Sequence, residues 1–447
     1  MTPEQAKAQL WYNGILEWKL RPEQRAFKHG IDDPENTLIV GNISRRLGKS
    51  FTLVLYAIEQ ALKTQQKIRF GSAFLSELEE FIQPAFEYIL ADCPEDLRPE
   101  YKATKKTYKF KNGSEIKLVG LDKNPNGLRG NAINIIIIDE AAYVSNLKYL
   151  YTSVIIPATM KQKNIKIIVI STPPESPEHF FVELIKKAQL SPKAFYLCLT
   201  IDDISDLDPE EKKRLLDEVG GEHSSTAQRE FYCRIIIDAE RAIAPAFKPD
   251  EHIEWYTNQY IKWGLYGDSG GVRDLTVFLM IGYCHVRRKV LVRDELWFKP
   301  HTPTSEIVEA VKARWPDNLQ MTRVLDSGGQ LQIDYSSLGF PVVQPQKDSF
   351  DETLLLVNNS FYNSQVLVHP SCSLLIQTLK GGLTNRNRTD FERTIALGHA
   401  DAVMAYAYGL RGIDRLTDLR PRPKRSEIFT LPTIDRHEAE LEKLKGL

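Results

Sequence analysis

Short runs of apolar residues, most of them rich in Ile and Val, constrain the fold of this chain more than any other feature of its sequence. The N-terminal half contains such runs at residues 37–40, 68–74, 116–120, 133–140 and 165–172. Near-continuous Ile and Val are typical of parallel strands that are buried on both faces. Longer stretches with a helical pattern separate the runs, as at residues 49–65. This alternation predicts an α/β fold with a parallel sheet.

A hairpin interrupts the pattern at residues 107–120. Its Asn112-Gly113 pair stands between two alternating segments and is a strong turn signal. The residues around it are rich in lysine. We interpret the hairpin as a solvated edge of the sheet, and the lysines leave contact with DNA open as the alternative.

The composition excludes several classes of protein. The chain has 447 residues, a formal net charge of -1 and 42% hydrophobic residues, which is ordinary for a soluble protein of about two or three domains. No segment approaches the ~20 apolar residues that a membrane-spanning helix needs, and the N-terminal residues lack a secretory signal pattern. The cysteines are scattered, which fits a reducing compartment without a disulfide framework or a zinc cluster. Because the chain as a whole is not basic, any contact with nucleic acid must use local positive charge.

Changes in pattern divide the chain into domains. Residues 1–240 contain the parallel-sheet pattern, and residues 200–240 within them are predicted to form a charged helical lid or subdomain. Prolines and weak periodicity indicate a linker at residues 241–260. A new β pattern followed by helices places a second domain at residues 261–412, and a polar tail occupies residues 413–447.

The segment NISRRLGKS, residues 42–50, ends like a phosphate-binding loop. Such a loop binds phosphate through backbone amides at a helix N-terminus, helped by a lysine. Gly48 would allow close backbone approach, Lys49 would bind phosphate, and the Ser50 hydroxyl would bind Mg²⁺. Ile43 replaces the first glycine of the common motif, so this segment alone is weak evidence for a nucleotide site.

A second motif strengthens that interpretation. The run IIIIDE is predicted to be a buried strand that ends in Asp139 and Glu140. Ligands of open α/β folds bind at the carboxyl ends of the strands. In phosphate-loop ATPases, an Asp in this position binds Mg²⁺ and a following Glu polarises the attacking water. Acids also end ordinary strands, but their combination with the upstream loop favours an ATPase.

Two weaker signals fit the same site. Ser171 and Thr172 end the predicted strand 165–172, where a polar residue can sense the γ-phosphate. Gln24, upstream of the first strand, carries a side-chain amide that can recognise adenine through two hydrogen bonds. Taken alone, each is equally typical of an ordinary polar residue at the end of a strand or the start of a helix.

The C-terminal half supplies carboxylates at the ends of its predicted elements. Asp268 and Asp326 each end a strand, and Asp401 begins a helix. Hard oxygen ligands gathered in this way are what a two-metal nuclease needs to hold Mg²⁺ or Mn²⁺. Asp274, across a glycine-rich loop from Asp268, is placed to support the cluster. The order of these elements is that of ribonuclease-H-like nucleases, although each aspartate alone is weak evidence.

Other titratable residues compete for these roles. Asp294 and Glu295 lie in or at the end of a hairpin strand, so we interpret them as solvated side chains. His399 is close to Asp401 in the sequence. We interpret it as a surface histidine, with a proton carrier or an outer metal ligand as the alternative.

In this order, the two sets of motifs resemble the large terminase subunit of tailed bacteriophages, the motor that packages DNA into the capsid. The resemblance covers about residues 15–410 and rests on SRRLGKS, IIIIDE and the three aspartates. Phosphate loops of that family often lack the first glycine and carry an early arginine. The resemblance implies an N-terminal P-loop ATPase with a parallel sheet and a C-terminal ribonuclease-H-like α/β nuclease domain.

The resemblance also implies roles for individual residues. ATP would be bound by Gln24, Ser44, Arg45, Arg46, Leu47, Gly48, Lys49, Ser50, Asp139 and Thr172. Glu140 would be the catalytic carboxylate. Arg45 in cis, or Arg129 acting on the ATP of a neighbouring protomer, would stabilise the charge on the transferring phosphoryl group.

For the nuclease, the family's metal-binding triad maps onto Asp268, Asp326 and Asp401. Two positions outside the triad qualify the resemblance. Ser171 stands where the family's coupling motif often has a glycine, which leaves its role less certain. Lys347 stands near a position where the family has a basic residue that faces DNA.

We therefore expect an ATP-driven motor that moves double-stranded viral DNA into a procapsid through a portal and cuts concatemeric DNA. The expected cofactors are ATP and Mg²⁺, with Mn²⁺ as a further possibility at the nuclease site. The expected partners are DNA, a portal protein, a small terminase subunit and further copies of this chain in a ring, with no membrane. The expected place is the host cytoplasm, on the procapsid during packaging.

Two other functions stay open at this point. One is a helicase-nuclease of DNA repair or defence, which should carry the motifs of a second motor lobe. The other is a binding protein with a decayed ATPase that acts as a capsid or portal component. Intact Lys49, Asp139 and Glu140 argue against decay.

Overall fold

The computed structural model describes residues 2–128, 133–159, 165–257, 260–316, 320–394 and 397–421. The chain forms two compact units. The first comprises the described parts of Met1–Pro249, Ser349–Asn358 and Leu374–Val403. The second comprises the described parts of Asp250–Asp348, Asn359–Ser373 and Met404–Leu447.

The boundary at Pro249 falls inside residues 241–260, but two later segments belong to the first unit. The domain limits based on sequence, which place all of residues 261–412 together, stay a prediction, and contacts of Arg241 and Ala242 join a later segment to the first unit. Arg241 donates hydrogen bonds to the carbonyl oxygen of Thr384 at 3.0 Å and 2.8 Å, and Ala242 forms a bridge with Leu383. These contacts hold the later segment within the first unit.

The α-helices vary from single turns to four turns. They are α1 Pro3–Tyr12, α2 Pro22–Asp32, α3 Lys49–Lys63, α4 Leu75–Glu77, α5 Gln83–Leu90, α6 Leu147–Tyr149, α7 Ile156–Thr159, α8 Phe180–Leu190, α9 Pro209–Glu218, α10 Ser225–Glu230, α11 Pro249–His252, α12 Thr304–Arg314, α13 Gly329–Ser337, α14 Phe350–Tyr362, α15 Ser373–Gly381 and α16 Asp401–Gly412. Wider π-helical turns, Leu78–Ile82 and Leu150–Ile155, join α4 to α5 and α6 to α7. In the described ranges, no helix combines the length and the hydropathy that crossing a membrane requires.

The strands form two sheets, one in each unit. They are β1 Leu38–Ile43, β2 Lys67–Ser72, β3 Glu100–Lys102, β4 Thr107–Lys109, β5 Glu115–Gly120, β6 Ile135–Ile138, β7 Lys166–Ser171, β8 Ala194–Leu199, β9 Trp263–Ser269, β10 Thr276–Cys284, β11 Lys289–Phe298, β12 Thr322–Asp326 and β13 Val366–Val368. The first sheet has the order β3-β4-β5-β2-β6-β7-β1-β8, and the second has the order β12-β9-β10-β11-β13.

The first sheet is parallel from β5 to β8, with β3 and β4 antiparallel at one edge. The five predicted apolar runs correspond to β1, β2, β5, β6 and β7, and the predicted hairpin is formed by β4 and β5. The parallel-sheet prediction is therefore confirmed. The sequence analysis does not predict β8, whose segment AFYLCL lacks the Ile and Val content of the other parallel strands.

Apolar side chains on both faces of β1 explain why its sequence is continuous rather than alternating. Ile39 and Ile43 pack on one face in the same core cluster as the apolar side chains of α3. Leu38 and Val40 pack on the other face with those of α8. A strand covered on both faces buries every side chain, and all six positions of β1 are buried.

The second sheet is mixed. Strands β9, β10 and β11 are antiparallel neighbours, while β12 runs parallel to β9 and β13 runs parallel to β11. Leu265, Phe278 and Leu325 from this sheet share a core cluster with Ile307 and Val311 of α12. The sheet thus places the ends of β9 and β12 side by side at one edge.

Candidate active sites

The loop that follows β1 has the backbone shape of a phosphate-binding loop. Gly48 has a φ of 76° and is the N-cap of α3, and Arg46 has a φ of 66°. A Cβ atom at Gly48 would lie 2.2 Å from Nε2 of Gln24, so the backbone angle requires glycine and a larger residue would also displace the end of the Gln24 side chain. The free amides at the N-terminus of α3 therefore face the loop, as anion binding requires.

Lys49, the first residue of α3, forms an ion pair with the acid at the end of β6. Its Nζ lies 2.8 Å from Oε1 of Glu140, and the Lys49 side chain is only 8% exposed. Burial lowers the pKa of Lys49, but the charges of Glu140 and Asp139 outweigh burial, so the net shift is upward. Lys49 is therefore a charged group held inside the site.

The hydroxyl of Ser50 donates a hydrogen bond of 2.5 Å to Oδ2 of Asp139. Asp139 is buried, and burial together with the adjacent charge of Glu140 raises its pKa to about 6. The structure thus brings together two hard oxygen donors beside an excess of negative charge. That donor type is the one that Mg²⁺ prefers.

Glu140 has a strained backbone and several partners. Its φ is 50°, and its backbone amide donates to Oδ1 of Asp139 at 3.0 Å. Ser171 at the end of β7 donates to Oε2 of Glu140 at 3.4 Å and accepts from the backbone amide of Ala142 at 3.1 Å. The adjacent Thr172 is buried, and its hydroxyl has no hydrogen-bond partner among the described residues. Left-handed backbone at a non-glycine residue is typical of functional sites.

Arg45 is held by a residue that the sequence analysis does not identify. Its Nε lies 2.6 Å from Oε2 of Glu230, its backbone amide donates to the Glu230 carbonyl at 3.1 Å, and its Nη2 donates to the Tyr143 hydroxyl at 3.2 Å. Glu230 ends α10, and Arg229 next to it lies 3.3 Å from its other carboxylate oxygen. No sequence signal distinguishes Glu230 from the other acids of its charged region.

The remaining loop residues face different surroundings. Ser44 and Leu47 are buried, and the Ser44 amide donates to the carbonyl of Leu199 at 2.9 Å. Arg46 is exposed, and its carbonyl accepts from Arg21 at 3.3 Å. Arg129, the predicted trans-acting arginine, lies outside the described residues.

Gln24 connects α2 to the phosphate-binding loop. Its Nε2 donates to the carbonyl oxygens of Leu47 at 3.0 Å and Gly48 at 3.5 Å, and its Oε1 accepts from the amide of Arg21 at 2.9 Å. Both ends of the amide therefore contact the chain itself in this structure. A role in reading adenine stays a prediction.

In the second unit, Asp268 of β9 and Asp326 of β12 are directly opposite each other in the parallel register. Side chains at one register position of neighbouring strands point to the same face of the sheet. The Tyr408 hydroxyl of α16 donates to Oδ2 of Asp326 at 2.7 Å, and Nζ of Lys347 lies 2.8 Å from the same oxygen. Burial, followed by the charge of Asp268, raises the pKa of Tyr408. Asp326 thus accepts a hydrogen bond from the Tyr408 hydroxyl, and the charge of Asp268 affects the same hydroxyl.

Asp274 and Asp401, the other two predicted metal ligands, each form a hydrogen bond with the backbone. The Asp274 amide donates to the carbonyl of Gly270 at 3.2 Å, which closes the turn after β9. Asp401 is the buried first residue of α16 and accepts from the amide of His399 at 3.4 Å. Across the described ranges, no three or more His, Cys, Asp or Glu side chains form a group that could hold a metal ion. The four-aspartate ligand set thus stays a prediction, of which the structure pairs two members.

Known proteins match part of this chain in sequence and most of it in fold. Residues 40–245 match the family of the terminase large subunit, T4likevirus-type, N-terminal. No match was found among curated protein sequences. Among solved structures, the bacteriophage HK97 large terminase is 14% identical with a TM-score of 0.54, and the similarity covers 92% of this chain and 99% of that chain.

Two further structures are similar with lower TM-scores. The large terminase of a thermophilic bacteriophage, in complex with ADP, is 16% identical, with a TM-score of 0.39, over 92% of this chain and 99% of that chain. The large terminase ATPase domain of Thermus phage P74-26 is 15% identical, with a TM-score of 0.41, over 51% of this chain and 97% of that chain. At 14% identity, the similarity to the HK97 large terminase shows the fold alone. That fold agrees with the predicted α/β fold class.

Proposed function

We propose that this chain, a large terminase subunit by its family match over residues 40–245, uses ATP hydrolysis to move double-stranded viral DNA into a procapsid. The observation that carries the proposal is the joint pairing at the phosphate-binding loop. Lys49 contacts Glu140 at 2.8 Å, and Ser50 contacts Asp139 at 2.5 Å. Two consecutive acids after β6 thus meet the first two residues of α3, and these are the residue types that contact phosphate and Mg²⁺ in phosphate-loop ATPases.

For ATP binding, we assign the phosphates to the amides of residues 46–50 and to Lys49, because the amides of Ser44 and Arg45 already donate to backbone carbonyls. Ser50 and Asp139 would hold Mg²⁺, and their contact and the raised pKa of Asp139 fit a cation there. Bound in that position, Mg²⁺ would neutralise charge on the phosphoryl group that is transferred.

The Lys49–Glu140 pair gives Glu140 two states. While Lys49 contacts it, the Glu140 carboxylate has one oxygen in an ion pair, and the nearby positive charge makes it a weaker base toward water. When Lys49 binds phosphate instead, the Glu140 carboxylate keeps its 3.4 Å hydrogen bond from the Ser171 hydroxyl. The carboxylate then accepts the proton of the attacking water. ATP binding itself would therefore release the catalytic carboxylate. Thr172, next to Ser171, would then contact the γ-phosphate. When the γ-phosphate leaves, the loss of this contact would shift β7.

Two arginines are proposed to complete this site, and Gln24 to contact adenine. Arg45 would act on the γ-phosphate in cis after it leaves Glu230. Arg129 would act on the ATP of a neighbouring protomer in a ring of identical chains. Arg46 and Leu47 would contribute backbone contacts only, because the first is exposed and the second is buried.

Replacement of Glu140 tests the ATPase assignment. Glu140→Gln should slow ATP hydrolysis by roughly 10²–10⁴-fold, the range for loss of a general base, while ATP still binds. The matched control is Glu183→Gln on α8, where a half-exposed acid lies 3.7 Å from Lys148. Hydrolysis and nucleotide binding are measured separately, and a Glu140→Gln chain that hydrolyses ATP at the normal rate would refute the role.

A second activity, endonucleolytic cutting of concatemeric DNA, is supported by the Asp268–Asp326 register pair. Carboxylate oxygens on one face of a sheet fit Mg²⁺ or Mn²⁺, and such ions would activate water against a phosphodiester. We assign Asp274 and Asp401 to the rest of the ligand set, and Tyr408 to orienting Asp326. This activity distinguishes the motor from a binding protein with a decayed ATPase.

Plasmid digestion with Mg²⁺ or Mn²⁺, with and without ATP, tests the nuclease. Asp326→Asn should abolish nicking and leave ATP hydrolysis unchanged. Asp334→Asn is the control, because this α13 aspartate accepts a hydrogen bond from Gln330 at 3.0 Å and is not one of the proposed ligands. Nicking by Asp326→Asn at the normal rate would refute the pair as ligands.

The cellular setting is proposed as well. A terminase motor would work with a portal protein, a small terminase subunit and double-stranded DNA, in host cytoplasm and on the procapsid during packaging.

We assign the ATPase to residues 1–240, the linker to 241–260 and the nuclease to 261–412. A helicase-nuclease would instead unwind duplexes, so strand separation on a forked substrate without translocation into procapsids would favour that alternative.

A further inference from the structure

Two cysteines that are far apart in the sequence come together beside the end of β1. Cys198 on β8 lies opposite Asn42 of β1 in the parallel register. The Asn42 side chain donates to the backbone carbonyl of Cys233 at 2.9 Å, and the Cys233 thiol donates to the carbonyl of Leu199 at 3.2 Å. Both cysteines line one cavity, and the Cys233 thiol contacts the backbone of the residue that follows Cys198.

The two thiols differ in a way that suits sequential chemistry. Cys198 is exposed and Cys233 is buried. The neighbouring Cys233 side chain lowers the pKa of Cys198 to about 7, with Arg234 contributing positive charge nearby. The neighbouring Cys198 side chain, followed by burial, raises the pKa of Cys233. An exposed thiol with thiolate character beside a second thiol is the arrangement of an attacking and a resolving cysteine.

Other cysteines of the chain provide an internal contrast. Cys93, Cys284 and Cys372 are all buried. Burial raises the pKa of Cys93 to about 11, and it raises that of Cys372 well above its ordinary value. Only thiolate is nucleophilic, so reaction with an oxidant should begin at Cys198.

A cavity gives a reagent access to the pair. It has a volume of about 410 Å³ and is lined by Asn42, Tyr196, Cys198, Tyr232, Cys233 and Arg234, among others. Pockets of roughly 300–1,000 Å³ hold small molecules, so part of a small peptide disulfide fits this space. Arg234 supplies a positive charge for a carboxylate of that molecule.

We propose that Cys198 and Cys233 form a thiol-disulfide site that a small disulfide such as oxidised glutathione converts to an intramolecular disulfide. The Cys198 thiolate attacks one sulfur of glutathione disulfide, which releases one glutathione and leaves a mixed disulfide. The Cys233 thiol then loses its proton and attacks the Cys198 sulfur, which releases the second glutathione. The chain loses two hydrogens, and one glutathione disulfide becomes two glutathiones, so electrons balance.

The new bond would restrain the segment that follows α10. Cys233 is three residues after Glu230, the partner of Arg45, and Cys233 itself has a left-handed φ of 55°. Tying this segment to β8 would fix Glu230 against Arg45. Oxidation is therefore expected to slow ATP hydrolysis reversibly, a consequence that rests on the proposed ATPase, whereas the disulfide itself does not.

Mass measurement of the full-length chain tests the chemistry. After incubation with oxidised glutathione, the native chain should lose the mass of two hydrogens, and peptide mapping should link Cys198 to Cys233. Cys233→Ser should instead retain one glutathione on Cys198, because the resolving thiol is absent. Cys93→Ser is the matched control and should behave as the native chain does. A native chain that keeps its reduced mass, or a disulfide that includes Cys93, would overturn the proposal.

Reactivity and ATP hydrolysis complete the test. At pH 7, Cys198 should react with iodoacetamide at least about tenfold faster than the buried cysteines, as follows from its larger thiolate fraction. Equal rates at all cysteines would count against the site. If the disulfide forms and dithiothreitol reverses it while ATP hydrolysis stays constant, the restraint on Glu230 is wrong. A failure of hydrolysis in the reduced native chain would instead count against the ATPase, since the mass readout is independent of it.

Discussion

Both candidate sites contain two neighbouring carboxylates and one lysine, but the burial of the lysine differs. In the first unit, Lys49 is 8% exposed and contacts Glu140, with Asp139 as the second acid. In the second unit, Lys347 is 60% exposed and contacts Asp326, with Asp268 as the second acid. Charge pairs shielded from water interact more strongly than solvated pairs.

This difference suggests how each site responds to its ligand. At the first site, a buried cation needs a strong replacement partner, and the phosphates of ATP provide one. At the second site, an exposed ammonium group is held weakly and gives way to a divalent cation at little cost. Under the proposed function, the first arrangement would make a conformational response depend on ATP, whereas the second would leave metal binding almost unopposed.

The largest effect is expected from removal of the buried lysine. Lys49→Met should reduce ATP hydrolysis by on the order of 10²–10³-fold, because a preorganised charge at the transferring group is lost. If the Lys49→Met chain hydrolysed ATP within a few-fold of the native rate, the contrast between the buried and the exposed lysine would be wrong. Nicking activity of the same variant serves as the control, since the second site is intact.

The raised pKa of Asp139 predicts a stability change with a defined sign. The folded chain binds this proton more tightly than the unfolded chain, because burial and Glu140 raise the pKa from 3.8 to about 6. The ionised carboxylate therefore costs stability as the pH rises from 3.8 to about 6, and the full cost applies above that range.

Asp139→Asn should accordingly stabilise the nucleotide-free chain at pH 7.5, by at most about 3 kcal/mol, and this gain should disappear near pH 4. Calorimetric Tm values in EDTA measure it, with Glu183→Gln as the control without a gain. An equal gain at both pH values would mean that the effect is not electrostatic.

A smaller effect is expected from the arginine partner. Glu230→Gln should lower KM for ATP by about two- to fivefold, the range for a half-exposed ion pair, because phosphate no longer competes with Glu230 for Arg45. The kcat should stay the same, and steady-state kinetics separate the two constants. A lower kcat with an unchanged KM would show instead that Glu230 positions Arg45 for the chemical step.

The smallest effect is expected at the exposed lysine. Lys347→Met should increase affinity for Mn²⁺ at the aspartate pair by at most about threefold, as its solvated ion pair contributes on the order of 0.6 kcal/mol or less. Titration followed by the electron paramagnetic resonance of free Mn²⁺ measures the affinity without DNA cleavage. Lys312→Met is the control, because its Nζ contacts the carbonyl of Leu338 at 2.9 Å. A change in Mn²⁺ affinity of tenfold or more would show that the exposed Lys347 ion pair is strong, so the two lysines would not differ in the way described.

The sequence predicted those features that depend on local patterns. Buried strands were predicted from runs of Ile and Val, and the acids were predicted from their position at strand ends. Strand β8 was not predicted, because AFYLCL has neither β-branched residues nor a strict alternation. Its place beside β1 follows from pairing across the sheet, which a single segment does not encode.

Partners supplied by distant segments were also beyond the sequence. Glu230 reaches Arg45, and Tyr408 reaches Asp326, only through tertiary packing. Register is equally non-local, since a slip of one residue would turn Asp326 to the other face of the sheet. The types of residue at each site were therefore predictable, whereas their immediate neighbours were not.

The contact between Gly48 and Gln24 has a consequence for recognising chains of this kind by pattern. Ile43 is the last residue of β1 and is fully buried, so the strand continues through the position of the usual first glycine. At Gly48, by contrast, a single methyl group would collide with Gln24 at 2.2 Å. A search motif that demands both glycines would discard this loop, whereas one that fixes only the second glycine and pairs it with an upstream glutamine would retain it.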